Sequence, residues 1–190
     1  MSNFYTEMEL LEFGFKKIGK NVKISRSAKL YQCELMEFGN HIRIDDYCVL
    51  SGKLVFGNYI HITCYNLLAG GDEGIIFQDY STLAYRCTLF TRSDDYSGHT
   101  LCNSTIPPEY RFKTIKESIR VGKYAIIGTC SVVFPGAHIA EGVSIGASST
   151  VLNPTKPWGM YVGIPAKRKK DREKSIIQQS LEFERELRDD

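Results

Sequence analysis

The chain has 190 residues, with 24 Lys and Arg residues against 22 Asp and Glu residues. This near balance argues against a general nucleic-acid binder, and a hydrophobic content of 43% argues against a disordered chain. No apolar run approaches the roughly 20 residues that span a bilayer, and the acidic N-terminus does not resemble a secretion signal. We therefore expect one cytoplasmic domain over residues 1–190, without a nucleic-acid partner or a membrane span.

The six cysteines contain no C-x-x-C pair and no spacing typical of a zinc site. This pattern favours reduced thiols over a disulfide framework, and it predicts no metal ion.

Residues 1–16 are predicted to form a short helical segment. Ser2 or Asn3 could cap a helix that carries Met8, Leu10 and Leu11. Its predicted role is structural.

Large apolar residues recur every six positions through residues 17–90 and 119–166. The clearest runs are Phe38, Ile44, Leu50, Phe56, Ile62 and Leu68, and later Val121, Ile127, Val133, Ile139, Ile145 and Val151. A period of six fits neither an α-helix nor plain strand alternation. It predicts triangular coils of short strands, each with one inward side chain and a parallel neighbour in the next coil. The predicted fold is an all-β solenoid, which we favour over a β-sandwich with chance spacing.

Glycine often follows these apolar positions, and the repeat is interrupted in several places. We expect Gly39, Gly57 and similar glycines to turn the corners, because left-handed backbone angles cost glycine little. Extra residues near 31–37 and 69–76 must bulge out of the coils as candidate functional loops. Residues 91–118 are polar and contain two prolines, so they predict a long excursion loop with a functional role.

The C-terminal segment 168–189 carries apolar residues among charges. This pattern predicts an amphipathic α-helix that packs on the solenoid or caps its end.

Residues 121–172, beginning VGKYAIIGTCS and ending GIPAKRKKDR, resemble the signature of the hexapeptide-repeat acyltransferases, which include galactoside, maltose and serine acetyltransferases. The resemblance implies a left-handed parallel β-helix of hexapeptide repeats. It also implies a homotrimer with active sites between subunits, and acetyl-CoA or another acyl-CoA as co-substrate.

The same resemblance assigns CoA contacts to four residues. Thr129 and Ala147 would lie along the CoA groove, and Lys167 and Lys170, beside the GIPAK turn, would meet the CoA phosphates. The alternative for the two lysines is an ordinary solvated basic run.

Members of this family that acetylate hydroxyl groups use a histidine of the excursion as general base. Alignment with the galactoside-type pattern places Asp94 where that histidine stands. An aspartate with a pKa of about 3.9 is a poor base for an alcohol, whereas a sugar amine needs no strong base. The chain therefore resembles more closely the family members that N-acylate nucleotide-linked amino sugars, and we assign Asp94 to orienting the amine.

Four further residues are candidates for the acceptor site. Glu109 and Asp95 could add second and third carboxylates, or they could be solvated loop acids. Asn66 matches an acceptor-contacting asparagine of the galactoside-type pattern, or it turns a corner. His99 is the one histidine in the excursion, so it could act as base in an O-acetylation.

The sequence thus predicts an acyl-CoA-dependent acyltransferase that modifies the amino group of a nucleotide-linked deoxyamino sugar, for O-antigen, capsule or glycan synthesis. The first alternative is a sugar O-acetyltransferase of the galactoside or maltose type. The second is a β-helix scaffold without enzymatic activity.

Overall fold

The computed structural model describes residues 3–189, in which short strands stack into a parallel β-solenoid followed by a helix. The elements are α1 (Glu7–Glu12), β1 (Lys17–Ile18), β2 (Lys23–Ile24), β3 (Lys29–Tyr31), β4 (Met36–Phe38), β5 (Ile42–Ile44), β6 (Val49–Ser51), β7 (Leu54–Phe56), β8 (Ile60–Ile62), β9 (Leu67–Ala69), β10 (Ile75–Phe77), β11 (Thr82–Leu83), β12 (Thr88–Phe90), β13 (Arg92–Ser93), β14 (Ile115–Lys116), β15 (Ile119–Val121), β16 (Ile126–Ile127), β17 (Val132–Val133), β18 (His138–Ile139), β19 (Ser144–Ile145), β20 (Thr150–Val151), β21 (Gly159–Val162), β22 (Lys167–Asp171) and α2 (Ser175–Asp189).

The strands form three long sheets, which are the faces of the solenoid. Face 1 has the order β1-β4-β7-β10-β15-β18, face 2 has β2-β5-β8-β11-β16-β19-β21-β22, and face 3 has β3-β6-β9-β12-β17-β20. Successive strands therefore lie on different faces, and a strand pairs in parallel with its counterpart one coil away. The predicted parallel solenoid of hexapeptide repeats is confirmed.

The six-residue apolar positions point into the solenoid and form its core. Phe38, Ile44 and Leu50, one from each face, have no exposed surface. Along the axis, the rings of Phe38 and Phe56 stack with centroids 4.6 Å apart, and Phe56 meets Phe77 at 5.1 Å. The core is thus a continuous column in which each layer repeats the one before.

The glycines that follow the inward residues have a different role from the one expected. A Cβ on Gly39 would lie 2.2 Å from the carbonyl oxygen of Gly57, so glycine is needed because successive backbones approach closely. The left-handed corner angles fall two residues after these glycines, for example at His41 with φ 57° and Tyr59 with φ 57°.

The N-terminal helix α1 is capped by Thr6 rather than by Asn3; Ser2 lies outside the described residues. The backbone N–H of Glu9 donates to Thr6 Oγ1 at 3.3 Å, and the Thr6 N–H donates to the Glu9 carboxylate at 2.7 Å. This reciprocal pair is a capping box, which fixes where the helix begins.

The C-terminal helix begins at Ser175, seven residues later than expected. Residues 167–171 instead form β22, which turns back and pairs antiparallel with β21 on the last coil of face 2. Helix α2 then packs along the corner between faces 1 and 2, where Tyr80 Oη donates to Glu184 at 2.9 Å. Within residues 3–189, neither helix is long and apolar enough to cross a membrane.

Candidate active site

The excursion opens from the corner between faces 3 and 1, directly after β12. Strands β13 and β14 close its base as an antiparallel ribbon, in which Arg92 pairs with Lys116 and Ser93 with Ile115. Because side chains alternate along a strand and paired residues share a face, Arg92, Asp94, Thr114 and Lys116 fall on one side of the ribbon.

An open cavity of about 640 Å³ lies between this side of the ribbon and the rest of the excursion. Its lining is mostly polar and charged: Arg92, Ser93, Asp94, Asn103, Ser104, Pro108, Arg111, Thr114 and Lys116. The sequence-predicted residue in this cavity is Asp94, and the cationic side chains around it were not singled out from the sequence.

Asp94 is half-buried in the cavity wall, and the excursion itself holds its carboxylate. The backbone N–H of Asn103 donates to Asp94 Oδ2 at 2.9 Å. Asn103 adopts φ 80°, and its side-chain oxygen accepts hydrogen bonds from Thr105 N at 2.9 Å and Thr105 Oγ1 at 2.6 Å. Among residues 3–189 nothing donates to Asp94 Oδ1, so one carboxylate oxygen remains able to accept a hydrogen bond from a ligand.

Arg92 anchors the base of the excursion to the bulge before β10. Its guanidinium pairs with Asp72, and its Nε lies 2.9 Å from Glu73 Oε2. The hydrogen bonds to Glu73 and Asp72 raise the pKa of Arg92. Its charge is therefore balanced within the protein, and the bulge at 69–76 supports the cavity wall.

A second set of predicted residues lies at the corner between faces 2 and 3. Thr129 and Ala147 are neighbours in successive coils, joined by a hydrogen bond from Ser148 N to Thr129 O at 2.7 Å. The preceding glycine allows no side chain, since a Cβ on Gly128 would lie 2.6 Å from Ala147 N. This corner is lined by small residues over two coils.

The basic strand β22 is the last strand of face 2. A β-bulge leaves Lys169 without a partner, so that Lys170 pairs with Met160 and Lys167 with Val162. Met160 and Val162 are two residues apart and point outward on one side, and the bulge brings Lys167 and Lys170 to that side together. Without it, two residues three apart would point in opposite directions.

The chain is similar to known acyltransferases in sequence and in structure. No family model matches the chain. It is 36% identical over 178 residues to the dTDP-4-amino-4,6-dideoxy-D-glucose acyltransferase of Escherichia coli, covering 92% of each chain. This chain belongs to the hexapeptide-repeat sugar acyltransferases.

Solved structures of one acyltransferase, AntD from Bacillus cereus, are similar over nearly the whole chain. AntD in complex with dTDP and 3-hydroxybutyryl-CoA is 38% identical with a TM-score of 0.96, covering 99% of this chain and 100% of AntD. A serine-to-alanine variant of AntD in complex with dTDP-4-amino-4,6-dideoxyglucose and Coenzyme A is 39% identical with a TM-score of 0.95, covering 98% and 100%. A putative lipopolysaccharide biosynthesis O-acetyl transferase, WbbJ of Escherichia coli K12, is 27% identical over 118 residues, covering 62% of this chain and 57% of WbbJ.

Three predicted acceptor-site residues of the acyltransferase lie outside the cavity lining. Asp95 accepts hydrogen bonds from the Ser97 hydroxyl and from Ser97 N and His99 N, both at 2.9 Å, and these bonds lower its pKa to about 2. His99 is exposed, and its Nδ1 meets Ser97 Oγ. Glu109 is exposed on a 3-10 turn, Pro108–Tyr110. These positions favour loop-stabilising or solvated roles.

Asn66 is buried at the corner between faces 2 and 3 rather than facing a ligand. Its Nδ2 donates to Thr63 O at 2.6 Å, and its Oδ1 accepts from Cys87 N at 2.7 Å, one coil further on. With 1% of its surface exposed, the side chain links two coils, which is the corner role that the sequence left open.

Arg92, Asn103, Arg111 and Lys116 are site residues that sequence analysis missed. Arg111 and Lys116 stand in the segment RFKTIK, whose three cations within six residues could have been noted. Asn103 carried no signal, because it acts through its backbone. Within residues 3–189, no three His, Cys, Asp or Glu side chains are grouped as metal ligands.

Proposed function

We propose that this acyltransferase transfers an acyl group from CoA to the amino group of a dTDP-linked amino-deoxy sugar, such as dTDP-4-amino-4,6-dideoxyglucose. The observation that carries the proposal is Asp94, whose carboxylate lies in the cavity with one oxygen able to accept a hydrogen bond, while His99 is not part of the lining. The activity of the E. coli relative and the ligands bound to AntD support the same substrate pair.

In the proposed reaction the neutral amine attacks the thioester carbonyl carbon. The carbon–nitrogen bond forms, the carbon–sulfur bond breaks, and the nitrogen loses one proton while the leaving sulfur gains one, giving an amide and free CoA. Asp94 Oδ1 accepts a hydrogen bond from the amine, which directs the nitrogen lone pair towards the carbonyl. The Asn103 N–H holds the other carboxylate oxygen, so the group is positioned before substrate binds.

AntD variants provide a parallel. AntD has been solved with an aspartate replaced by alanine and by asparagine, each in complex with dTDP and Coenzyme A. We propose that Asp94 is the counterpart of that aspartate, which predicts that its replacement here impairs chemistry rather than the binding of nucleotide or CoA.

The proposed path of CoA runs along the outside of face 2 near its corner with face 3. Small residues at Thr129 and Ala147 leave room for the pantetheine arm, and Lys167 and Lys170 present two ammonium groups on one side for the phosphates. Their exposure and shared orientation favour this role over a solvated basic run.

We further propose that the protein is a homotrimer with active sites between subunits. The excursion supports this assembly because it carries large apolar side chains that this chain leaves exposed: Tyr96 at 93%, Phe112 at 70%, Leu101 at 58% and Tyr110 at 57%. A neighbouring solenoid would cover them. A role in O-antigen, capsule or glycan synthesis and a cytoplasmic location follow from the proposed substrates and belong to the same hypothesis.

The experiment that tests the function is release of free thiol from acetyl-CoA and 3-hydroxybutyryl-CoA with a matched panel of acceptors. The panel pairs each dTDP-4-amino-4,6-dideoxy sugar with the dTDP-6-deoxy sugar that carries a hydroxyl at the same carbon. Turnover with amines alone supports the proposal. Turnover with the hydroxyl partners would overturn it in favour of an O-acetyltransferase, and the absence of turnover with every pair would also contradict it.

A further inference from the structure

Two cations in the Asp94 cavity have no charge partner among residues 3–189. Arg111 and Lys116 both line the cavity, and none of the ion pairs within residues 3–189 includes either of them. The third cation, Arg92, is balanced by Asp72 and Glu73. Among the described residues, the lining itself holds three cations and one carboxylate, that of Asp94, so the surface of the cavity is positively charged.

The Arg111 guanidinium is held in place without losing its ability to bind an anion. Its Nε donates to the carbonyl oxygen of Ile106 at 2.8 Å, and Thr114 Oγ1 bonds the Arg111 carbonyl oxygen at 3.2 Å. The side chain is half-buried. Only Nε is used, so the N–H groups of the two terminal nitrogens can donate to phosphate oxygens in the forked arrangement that arginine offers.

Lys116 reaches the cavity from the opposite strand of the ribbon. It pairs with Arg92 across β13 and β14, which places it on the same side as Asp94. An ammonium group on a flexible stem supplies a point charge rather than a directed fork. Arg111 thus offers a fixed contact and Lys116 an adjustable one. Together they suit an anion that has two neighbouring charged groups.

We infer that Arg111 and Lys116 form the subsite for the diphosphate of the nucleotide-linked sugar. The inference rests on the proposed function and extends it, because a diphosphate on these cations would set the attached sugar in the cavity that contains Asp94. Charge separation inside one cavity then orients the substrate, with the phosphates at the cations and the amine at the carboxylate. It also predicts that a free amino sugar, which lacks the diphosphate, binds more weakly.

The test is calorimetric binding of dTDP to the full-length protein without CoA, for the wild type, Arg111→Met, Lys116→Met and the matched control Lys113→Met. Lys113 is an exposed lysine of the same segment that does not line the cavity. We expect roughly 10- to 100-fold weaker dTDP binding for Arg111→Met and for Lys116→Met, and unchanged binding for Lys113→Met, because hydrogen bonds to charged groups are strong. Arg111→Lys should recover part of the loss.

Two further measurements test whether the loss of dTDP binding is specific to the diphosphate. Wild type should bind dTDP more tightly than dTMP and thymidine, and the variants should lose that preference while binding CoA as the wild type does. Unaltered circular dichroism and melting temperature identify folded variants. Equal dTDP affinity for wild type and both cavity variants would overturn the subsite, as would wild type that fails to bind dTDP.

Failure of the subsite differs from failure of the proposed function. If the cavity variants lose dTDP binding while the wild type acylates only hydroxyl sugars, the subsite stands and N-acylation is wrong. If wild type acylates the amine and both variants bind dTDP normally, N-acylation stands and the diphosphate lies elsewhere.

Discussion

The coils and the excursion satisfy their polar groups in different ways. In the coils, backbone groups pair with the next coil, as when Val49 N donates to Asn66 O at 2.8 Å and Gly57 N donates to Phe77 O at 2.9 Å. In the excursion, side chains hold the backbone, as Asp94 does at Asn103 and Asp95 does at His99. An inward-pointing charged group would interrupt the apolar column of the coils, whereas the excursion lies outside that column and carries charged side chains around a cavity.

The largest effect should come from the coil core. Phe56→Ala removes a ring that stacks on Phe38 and meets Phe77, and it leaves a cavity in a column that cannot collapse, so we expect a loss of about 3–5 kcal/mol in the free energy of unfolding. Urea denaturation measures it. Val55→Ala, at a half-buried position on the same strand, is the control and should cost much less. Equal losses in the two variants would contradict the conclusion that the stability depends on the buried column of inward side chains.

The excursion should show the opposite behaviour, with activity lost and stability kept. Asp94→Asn removes the charge that we propose orients the amine and keeps the shape of the side chain, so we expect about a 100-fold lower kcat/KM and an unchanged melting temperature. Glu109→Gln, an equivalent change outside the cavity lining, should cost far less activity. Similar losses of activity in both variants would indicate that Glu109 also belongs to the active site.

Asn66 separates a corner role from an acceptor-site role. Asn66→Ala leaves the buried Cys87 N–H without its acceptor, so we expect a loss of about 1–3 kcal/mol in unfolding free energy with an unchanged KM for the sugar. Asn153→Ala, at an exposed position, is the control and should stay within about 0.5 kcal/mol of wild type. A raised KM without a stability loss would instead assign Asn66 to the acceptor.

The smallest effect concerns the turn at Asp95. Because folding lowers the pKa of Asp95 to about 2, the carboxylate stabilises the turn above pH about 4, and this contribution is lost as the pH falls towards 2. The amide chemical shifts of Ser97 and His99 should therefore titrate with a midpoint well below 3.9. Asp95→Asn should abolish that titration, and a midpoint near 3.9 would contradict the hydrogen bonds.

The coils can be predicted from the sequence because each contact repeats. A six-residue period fixes which side chains point inward, so the period alone is enough to assign Phe38, Ile44 and Leu50 to the core. The reason for the glycines is not predictable, because the distance from Gly39 to Gly57 depends on how closely coils stack, and a single coil contains no information on that distance.

The site is predictable only where it matches a family pattern. Asp94 stands out because it replaces a histidine at a known place. Arg111 and Lys116 do not, since their approach to Asp94 depends on the pairing of β13 with β14 across a long loop. The prediction of helix for residues 168–171 was wrong because four consecutive charges say little about conformation, and the pairing with β21 decides it.

Distances along face 2 come in fixed steps, because each coil adds one strand to that face. From β11, in the coil that precedes the excursion, to β21, beside the basic strand, the order β11-β16-β19-β21 contains three steps. Each step spans about 4.8 Å, so any two contacts that face 2 makes along the proposed CoA path are separated by a whole number of coils, which is a fixed length. Gain or loss of one coil would change that length by one fixed increment, and no smaller adjustment is open to the fold. The length of the cofactor therefore constrains how many repeats this part of the protein can have.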